Sequence, residues 1–162
     1  MGVITDEARR WAEREYPTRE FHVDARDIAQ FADAIGADDP VHFDKTAAVE
    51  AGYRDVVAPP MFPYVIRMQS YNLVRRDDLE ADGSPSADVP PLPTRRAMAG
   101  ETSLELGDPV VAGDTVTVEK RLAKMYEKEG RSGPLVFVEM EFIFTNQEGS
   151  VIARESFTRI YR

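Results

Sequence analysis

The chain has 162 residues, of which 43% are hydrophobic and 30% are charged, a composition typical of one globular domain with a single core. Its net charge is −9, whereas proteins that bind nucleic acids need a basic surface to contact the phosphates. The charge therefore argues against nucleic-acid binding. There is no cysteine, so disulfides, thiolate metal sites and cysteine nucleophiles are excluded. The N-terminus has no signal-peptide pattern and no apolar run spans a bilayer, so we expect a soluble, cytoplasmic protein.

Helical patterns come first along the chain. Residues 5–16 predict a short amphipathic helix that a proline ends, and we assign residues 1–20 to an N-terminal helical extension. Residues 21–23 indicate a brief strand. Helices are then predicted over residues 24–35, with an aspartate as N-cap and a glycine after the end, and over residues 45–51.

The longest helical pattern covers residues 61–76 and predicts a central, buried helix. Prolines 59 and 60 precede it, where a missing N–H costs little. Its hydrophobic residues recur at helical spacing on one side, namely Met61, Tyr64, Val65, Met68 and Tyr71. This side is expected either to pack against a sheet or to line a tunnel for a ligand.

The second half of the chain changes to the period of strands. Residues 77–95 combine acids, prolines and glycines with few large hydrophobic side chains, which is typical of a mobile loop. Alternating hydrophobic residues then predict four strands, over residues 99–106, 115–126, 135–145 and 151–161. Helices followed by an antiparallel meander indicate an α+β protein. One sheet wrapped around one long helix describes the hot-dog fold, and we predict a single such domain over residues 21–162.

Three short motifs carry a resemblance to a known family. They are Gly-Ala-Asp-Asp-Pro-Val-His at 36–42, Val-Ala-Pro-Pro-Met-Phe at 57–62, and Pro-Val-Val-Ala-Gly-Asp-Thr-Val at 109–116. In this order and spacing they resemble the N-terminal dehydratase domain of MaoC-like proteins. These are hot-dog proteins related to (R)-specific enoyl-CoA hydratases and to mycobacterial hydroxyacyl-thioester dehydratase subunits. The resemblance extends over nearly the whole chain.

The resemblance implies a set of catalytic residues. In active members the first motif reads Gly-Asp-x-Asn-Pro-x-His, and its Asp and His activate a water at the double bond of an enoyl thioester. The His position is His42 and the Asn position is Asp39, but the Asp position is Ala37, which has no acid–base group. The neighbouring Asp38 is the other candidate acid. Alternatively, His42 bonds a backbone carbonyl, and the two aspartates are turn and cap residues.

The resemblance also implies a site for the thioester oxygen. Active relatives place a glycine where Pro60 stands, and proline has no N–H to stabilise an enolate. The next donor is the Met61 N–H at the start of the predicted helix. Gly36 and Tyr64 complete the predicted substrate wall.

Basic residues offer a place for the phosphates of coenzyme A. Arg95 and Arg96, beside the predicted loop, are the candidates for this contact. Arg67, Arg75 and Arg76 are expected to be solvated surface residues, and His22 is expected to be a surface or structural residue.

These observations favour an acyl-thioester hydratase or 3-hydroxyacyl dehydratase acting on coenzyme A or acyl-carrier thioesters. Because Ala37 and Pro60 remove two catalytic groups, the alternative is a non-catalytic acyl-CoA-binding subunit of a heteromeric dehydratase. A hot-dog thioesterase is a third hypothesis, and the absence of Asp and Glu from residues 61–76 counts against it. We expect a homodimer, or a heterodimer with a catalytic MaoC-like subunit, because a single such sheet has an exposed edge. No metal or redox cofactor is implied.

Overall fold

The computed structural model describes residues 2–69, 74–81, 83–93 and 96–162. Within these residues, four α-helices, labelled in chain order, are α1 (Asp6–Ala12), α2 (Ala25–Ala34), α3 (Lys45–Glu50) and α4 (Phe62–Gln69). Five strands of the same residues are β1 (Arg19–His22), β2 (Ala97–Leu106), β3 (Thr115–Gly130), β4 (Gly133–Thr145) and β5 (Val151–Tyr161).

The strands form one antiparallel sheet in the order β1-β3-β4-β5-β2. β3 and β4 are a long hairpin, paired from Thr117 opposite Thr145 to Gly130 opposite Gly133. β2 lies at one edge of the sheet, beside β5. Helices followed by an antiparallel meander confirm the predicted α+β architecture.

The core lies between α4 and one face of the sheet. Alternate residues of β4 are buried on this face, as the alternation predicted, and they are Val136, Val138, Met140, Phe142 and Phe144. Phe62 and Ile66 of α4 are fully buried in the same cluster. The Phe62 ring meets Phe31 of α2 edge to face, with the centroids 5.8 Å apart. These contacts fix α4 against both the sheet and α2.

The length of the central helix was predicted wrongly. α4 is described only to Gln69, and Tyr71 and Leu73 lie outside the described residues. The helix does not reach residue 76, because residues 74 and 75 are not helical and Arg76–Asp78 forms a separate 3₁₀ turn.

Of the two alternatives for the predicted hydrophobic side of α4, packing on the sheet is wrong, whereas Tyr64 and Met68 of this side line a cavity described below. The buried residues of α4 are Phe62, Pro63, Ile66 and Arg67. Met61, Tyr64 and Met68 are instead 51%, 44% and 45% exposed. The segment Phe-Pro-Tyr-Val-Ile-Arg-Met-Gln has large hydrophobic side chains on more than one side, so periodicity alone does not identify the side that packs on the sheet.

Several other boundaries differ from the predictions. β1, β2 and β4 each begin two residues before their predicted starts. α1 ends at Ala12, not at residue 16, and the Arg14 guanidinium that follows it lies over the rings of Trp11 and Tyr16. β3 continues to Gly130, four residues past its predicted end.

The described part of the 74–93 segment packs on the sheet. It contains 3₁₀ turns at Arg76–Asp78 and Ser86–Asp88, and it buries Ser84 and Leu92. No helix in the described part of the chain has the length and apolarity to cross a lipid bilayer.

Candidate functional site

The 36–42 segment forms a turn and then a short 3₁₀ helix. Gly36 follows α2 with φ +70°, the left-handed region that favours glycine. Asp39 caps the 3₁₀ helix, because its Oδ1 accepts a hydrogen bond from the Val41 N–H at 3.1 Å. Asp38 is exposed. The structure thus places Asp39 in a capping role and Asp38 at the surface.

His42, which closes this 3₁₀ helix, is half-buried and fixed by the backbone. Its Nδ1 lies 2.7 Å from the carbonyl oxygen of Val57. Because a carbonyl only accepts, Nδ1 carries the proton of the neutral imidazole and the lone pair is on Nε2. Among the described residues, Nε2 has no hydrogen-bond partner. The bond to a carbonyl therefore leaves His42 a nitrogen that can accept a proton.

A further hydrogen bond holds the 36–42 motif against the segment that leads into α4. The Val57 N–H donates to the Val41 carbonyl at 3.1 Å, so the 3₁₀ helix and the segment that leads into α4 are held together. At the start of α4, the Phe62 N–H donates to the Pro59 carbonyl at 2.9 Å. The Met61 N–H makes no hydrogen bond to another residue in the described part of the chain. It is a free donor at the positive end of the helix dipole.

A cavity of about 610 Å³ lies between α4, the 74–88 segment and the face of the sheet that α4 covers. Its apolar wall includes Met68, Val138, Met140, Phe142 and Phe157. Tyr64 is the predicted site residue that lines it; His42, Asp38, Asp39 and Met61 are outside its described lining. Tyr64, three residues after Met61 in the chain, is therefore the residue that the predicted site and the cavity share.

A buried ion pair crosses the interface between α4 and the sheet. Arg67 Nε lies 3.0 Å from Glu155 Oε2 of β5, and the two side chains are 8% and 2% exposed. The Arg67 guanidinium also lies over the rings of Tyr64, Phe142 and Phe157, at 4.8, 5.2 and 5.1 Å from their centroids. Burial raises the pKa of Glu155, and the charge of Arg67 opposes that rise. The prediction that Arg67 is solvated was wrong, since the sheet contacts the side of α4 that carries it.

A second largely buried cation lies on β3, which is separated from β5 by β4 in the sheet. Lys120 of β3 forms an ion pair with Asp88, and these side chains are 13% and 17% exposed. Burial lowers the pKa of Lys120, and the adjacent Asp88 partly restores it. Lys120 lies opposite Phe142 in the register, and Phe142 lies opposite Glu155, so the three residues form one row across the sheet.

Sequence reasoning missed Lys120 and Glu155 as residues of the interior. The signal was present in the two-residue period, because Lys120 alternates in phase with Val118 and Leu122. Glu155 likewise shares the phase of Ala153.

The proposed coenzyme A contacts gain no geometric support. Arg96 is exposed, and its backbone pairs with Arg162 through two hydrogen bonds of 3.2 and 3.0 Å. Arg95 lies outside the described residues. Arg75 and Arg76 are exposed, as predicted.

A family profile described as "FAS1-like, dehydratase domain region" matches residues 10–155. The chain belongs to this FAS1-like dehydratase family. The match confirms the resemblance to MaoC-like dehydratase domains of the N-terminal type. Among sequence relatives of this FAS1-like chain, a UPF0336 protein of Clavibacter michiganensis subsp. michiganensis is 37% identical over 99 residues. That alignment covers 60% of this chain and 59% of the relative, so the chain spans about three fifths of the relative's length.

Solved structures show the same fold. The C-terminally truncated HadBC complex of Mycobacterium tuberculosis, a 3R-hydroxyacyl-ACP dehydratase, aligns with a TM-score of 0.64 at 22% identity. The alignment covers 90% of this chain and 92% of that one. The R-hydratase PhaJ1 of Pseudomonas aeruginosa aligns with a TM-score of 0.64 at 20% identity, covering 93% and 84% of the two chains. The hot-dog fold predicted for this FAS1-like dehydratase chain is confirmed.

Proposed function

We propose that the chain is a subunit of an acyl-thioester hydratase/dehydratase that acts on coenzyme A or acyl-carrier thioesters. The observation that carries this proposal is the hydrogen bond from His42 Nδ1–H to the Val57 carbonyl, in a chain of a dehydratase family. That bond selects the imidazole tautomer whose Nε2 accepts a proton, which is the state a general base needs.

In the hydration direction, His42 acts on water. Nε2 takes a proton from a water molecule while the water oxygen bonds to C3 of the enoyl thioester. The electron pair of the C2–C3 double bond moves toward the thioester carbonyl, and the resulting enolate oxygen accepts a hydrogen bond from the Met61 N–H. The proton then returns to C2, which restores the carbonyl and gives the 3-hydroxyacyl thioester. Dehydration is the same path reversed.

The cavity under α4 is proposed to hold the acyl chain. Its volume of about 610 Å³ falls within the range of small-molecule sites, roughly 300–1,000 Å³. Its wall of methionine, valine and phenylalanine side chains suits an aliphatic chain. Tyr64 and Met68, half-exposed on α4, would be covered by such a ligand.

A second candidate function is favoured by the residues that the motif lacks. Ala37 replaces the motif aspartate, Asp39 is engaged as a cap, and Pro60 has no N–H. A chain with these replacements can bind the thioester while a MaoC-like partner supplies the missing acid. The HadBC neighbour is itself a complex, which supports proposing a heteromeric assembly here. The alternative is thus a non-catalytic subunit of a heteromeric dehydratase.

The test is hydration of crotonyl-CoA and of a longer enoyl-CoA, followed by loss of the absorbance of the conjugated thioester. His42→Ala is expected to lower turnover by about 10²–10⁴-fold, the usual contribution of a general base. The matched control is His22→Ala, because the other histidine is exposed on β1. Equal turnover by wild type and His42→Ala rules out His42 as the base. A folded chain that binds enoyl-CoA without turning it over supports the non-catalytic alternative.

Thioesterase activity is less well supported. Glu155 is a carboxylate beside α4, but it is 3% exposed, paired with Arg67 and outside the described lining of the cavity. Release of free thiol from acyl-CoA by the pure chain, measured in the same samples, would favour a thioesterase.

A further inference from the structure

Arg159 of β5 also lines the cavity. It shares the face of Glu155 and Phe157, because alternate residues of a strand point to the same side. It is half-buried, and its guanidinium carbon lies 5.9 Å from the centroid of the Phe157 ring. In the described ranges no carboxylate lies within ion-pair distance of it. The proposed chemistry at His42 gives Arg159 no role.

The charges in and around the cavity do not cancel. Three cations line it, namely Arg67, Lys120 and Arg159. Arg67 is paired with Glu155 and Lys120 with Asp88, so Arg159 is the cation left without an acidic partner in the described structure. The whole chain, in contrast, carries a net charge of −9. A half-buried cation against an apolar wall, without an acidic partner in the described residues, is a place where an anion would bind favourably.

The repulsion between these cations is visible at Lys120. Burial lowers the pKa of Lys120 most, and the charges of Arg14 and Arg159 lower it further. Arg159 is therefore close enough to act on the interior electrostatically. An anionic group placed on Arg159 would relieve this repulsion as well as pair the guanidinium.

We propose that the cavity binds an aliphatic carboxylate, with the carboxylate on Arg159 and the chain against Met140, Phe142 and Phe157. A planar guanidinium pairs a carboxylate through two parallel hydrogen bonds, and the surrounding apolar wall strengthens that pairing. The ligand is either a free fatty acid or an acyl thioester with a carboxylate at the far end of its chain. The second form rests on the proposed function and would define its substrate class.

The first experiment measures binding of decanoate and of the neutral decanamide to the full chain by titration calorimetry. Arg159→Gln is expected to weaken decanoate binding by about tenfold or more, the range for loss of a charged hydrogen bond, and to leave decanamide binding unchanged. Arg159→Lys, which keeps the charge but not the two parallel hydrogen bonds, is expected to bind decanoate with an affinity between those of wild type and Arg159→Gln. Arg154→Gln is the matched control, since Arg154 is exposed on the same strand.

The result that overturns the proposal is clear. Arg159 is excluded as a carboxylate site when neither decanoate nor octanedioyl-CoA binds the wild type, or when both bind wild type and Arg159→Gln equally. Circular dichroism and the thermal midpoint of each variant establish that it is folded.

A second titration identifies the source of the carboxylate. Octanedioyl-CoA is compared with octanoyl-CoA, which differ in the carboxylate at the far end of the chain. Tighter binding of octanedioyl-CoA that disappears in Arg159→Gln assigns the site to the acyl chain of a thioester. If Arg159→Gln weakens the binding of decanoate but not that of octanedioyl-CoA, the site is assigned to a free fatty acid. Both titrations measure binding without turnover. Their outcome is therefore independent of the hydration assay of His42→Ala.

Discussion

The loop that carries His42 and the cavity under α4 differ in how their residues are brought together. In the loop, Asp39 caps a residue two positions on, and His42 bonds a carbonyl 15 residues away. At the cavity, the lining residue Arg67 of the central helix forms an ion pair with Glu155 of the last strand. The loop is therefore a local structure with exposed acids, whereas the cavity is a non-local structure with buried charges. Substitutions in the loop should lower turnover more than the free energy of unfolding. Substitutions at the cavity should mainly lower the free energy of unfolding.

The largest expected effect on stability is at the buried ion pair. Arg67→Met is expected to lower the free energy of unfolding by about 3–5 kcal/mol, because it leaves the Glu155 carboxylate buried without its partner. The measurement is urea denaturation at neutral pH. The control is Glu141→Gln, whose carboxylate pairs with the exposed Arg121 on neighbouring strands and should cost less than about 1 kcal/mol.

A double variant separates the charge from the packing. Arg67→Met with Glu155→Leu removes both charges, and it is expected to recover most of the stability that Arg67→Met alone loses. Equal losses for Arg67→Met and Glu141→Gln would show that the Arg67–Glu155 pair is not buried in solution.

A smaller effect is expected in the pH dependence of stability. Burial raises the pKa of Glu155 above its ordinary value of 4.5, so between these two values the folded state holds a proton that the unfolded state has lost. Stability from this group is therefore full below pH 4.5 and is lost as the pH rises through the folded pKa. Because glutamine does not titrate, the unfolding free energy of the wild type minus that of Glu155→Gln should fall as the pH rises from 4. A constant difference would mean that Glu155 has the same pKa in both states.

The smallest effects are expected at the two aspartates of the loop. Asp39→Ala is expected to cost about 1 kcal/mol, because it removes the cap of the 3₁₀ helix. Asp38→Ala should change stability by less than about 0.5 kcal/mol, since Asp38 is exposed. Thermal unfolding of both variants measures this contrast. A larger destabilisation by Asp38→Ala than by Asp39→Ala would contradict the capping role of Asp39. A loss of turnover in Asp38→Ala without a loss of stability would assign Asp38 a chemical role.

The local features of the loop could be read from the sequence because their causes are local. An aspartate before a proline favours a turn or a cap. Asp24 was identified as the N-cap of α2 because a carboxylate at that position accepts a hydrogen bond from a backbone N–H of the first turn. The alternation in β4 identified its buried face, since side chains of a strand alternate between two faces. The carbonyl partner of His42 was anticipated as a kind of contact, but Val57 itself was not.

The composition of the cavity could not be read in the same way. Arg67 lies in a helix with hydrophobic residues on several sides, and the local pattern does not predict that the side with an arginine packs on the sheet. Burial of this side is favourable because Glu155 neutralises the charge and three aromatic rings contact the guanidinium. These partners come from strands far along the chain.

The sequence by itself determined the α+β class, the antiparallel meander, the family and the loop with His42, because each depends on short-range periodicity or on motifs within a few residues. The tertiary structure alone decided which side of α4 is buried, that Arg67 and Lys120 lie in the interior with carboxylate partners, and that Arg159 lines the cavity. The physical reason is that the energy of a buried charge depends on groups that surround it in space, and these groups are brought together only when the strands pair and the helix packs on them.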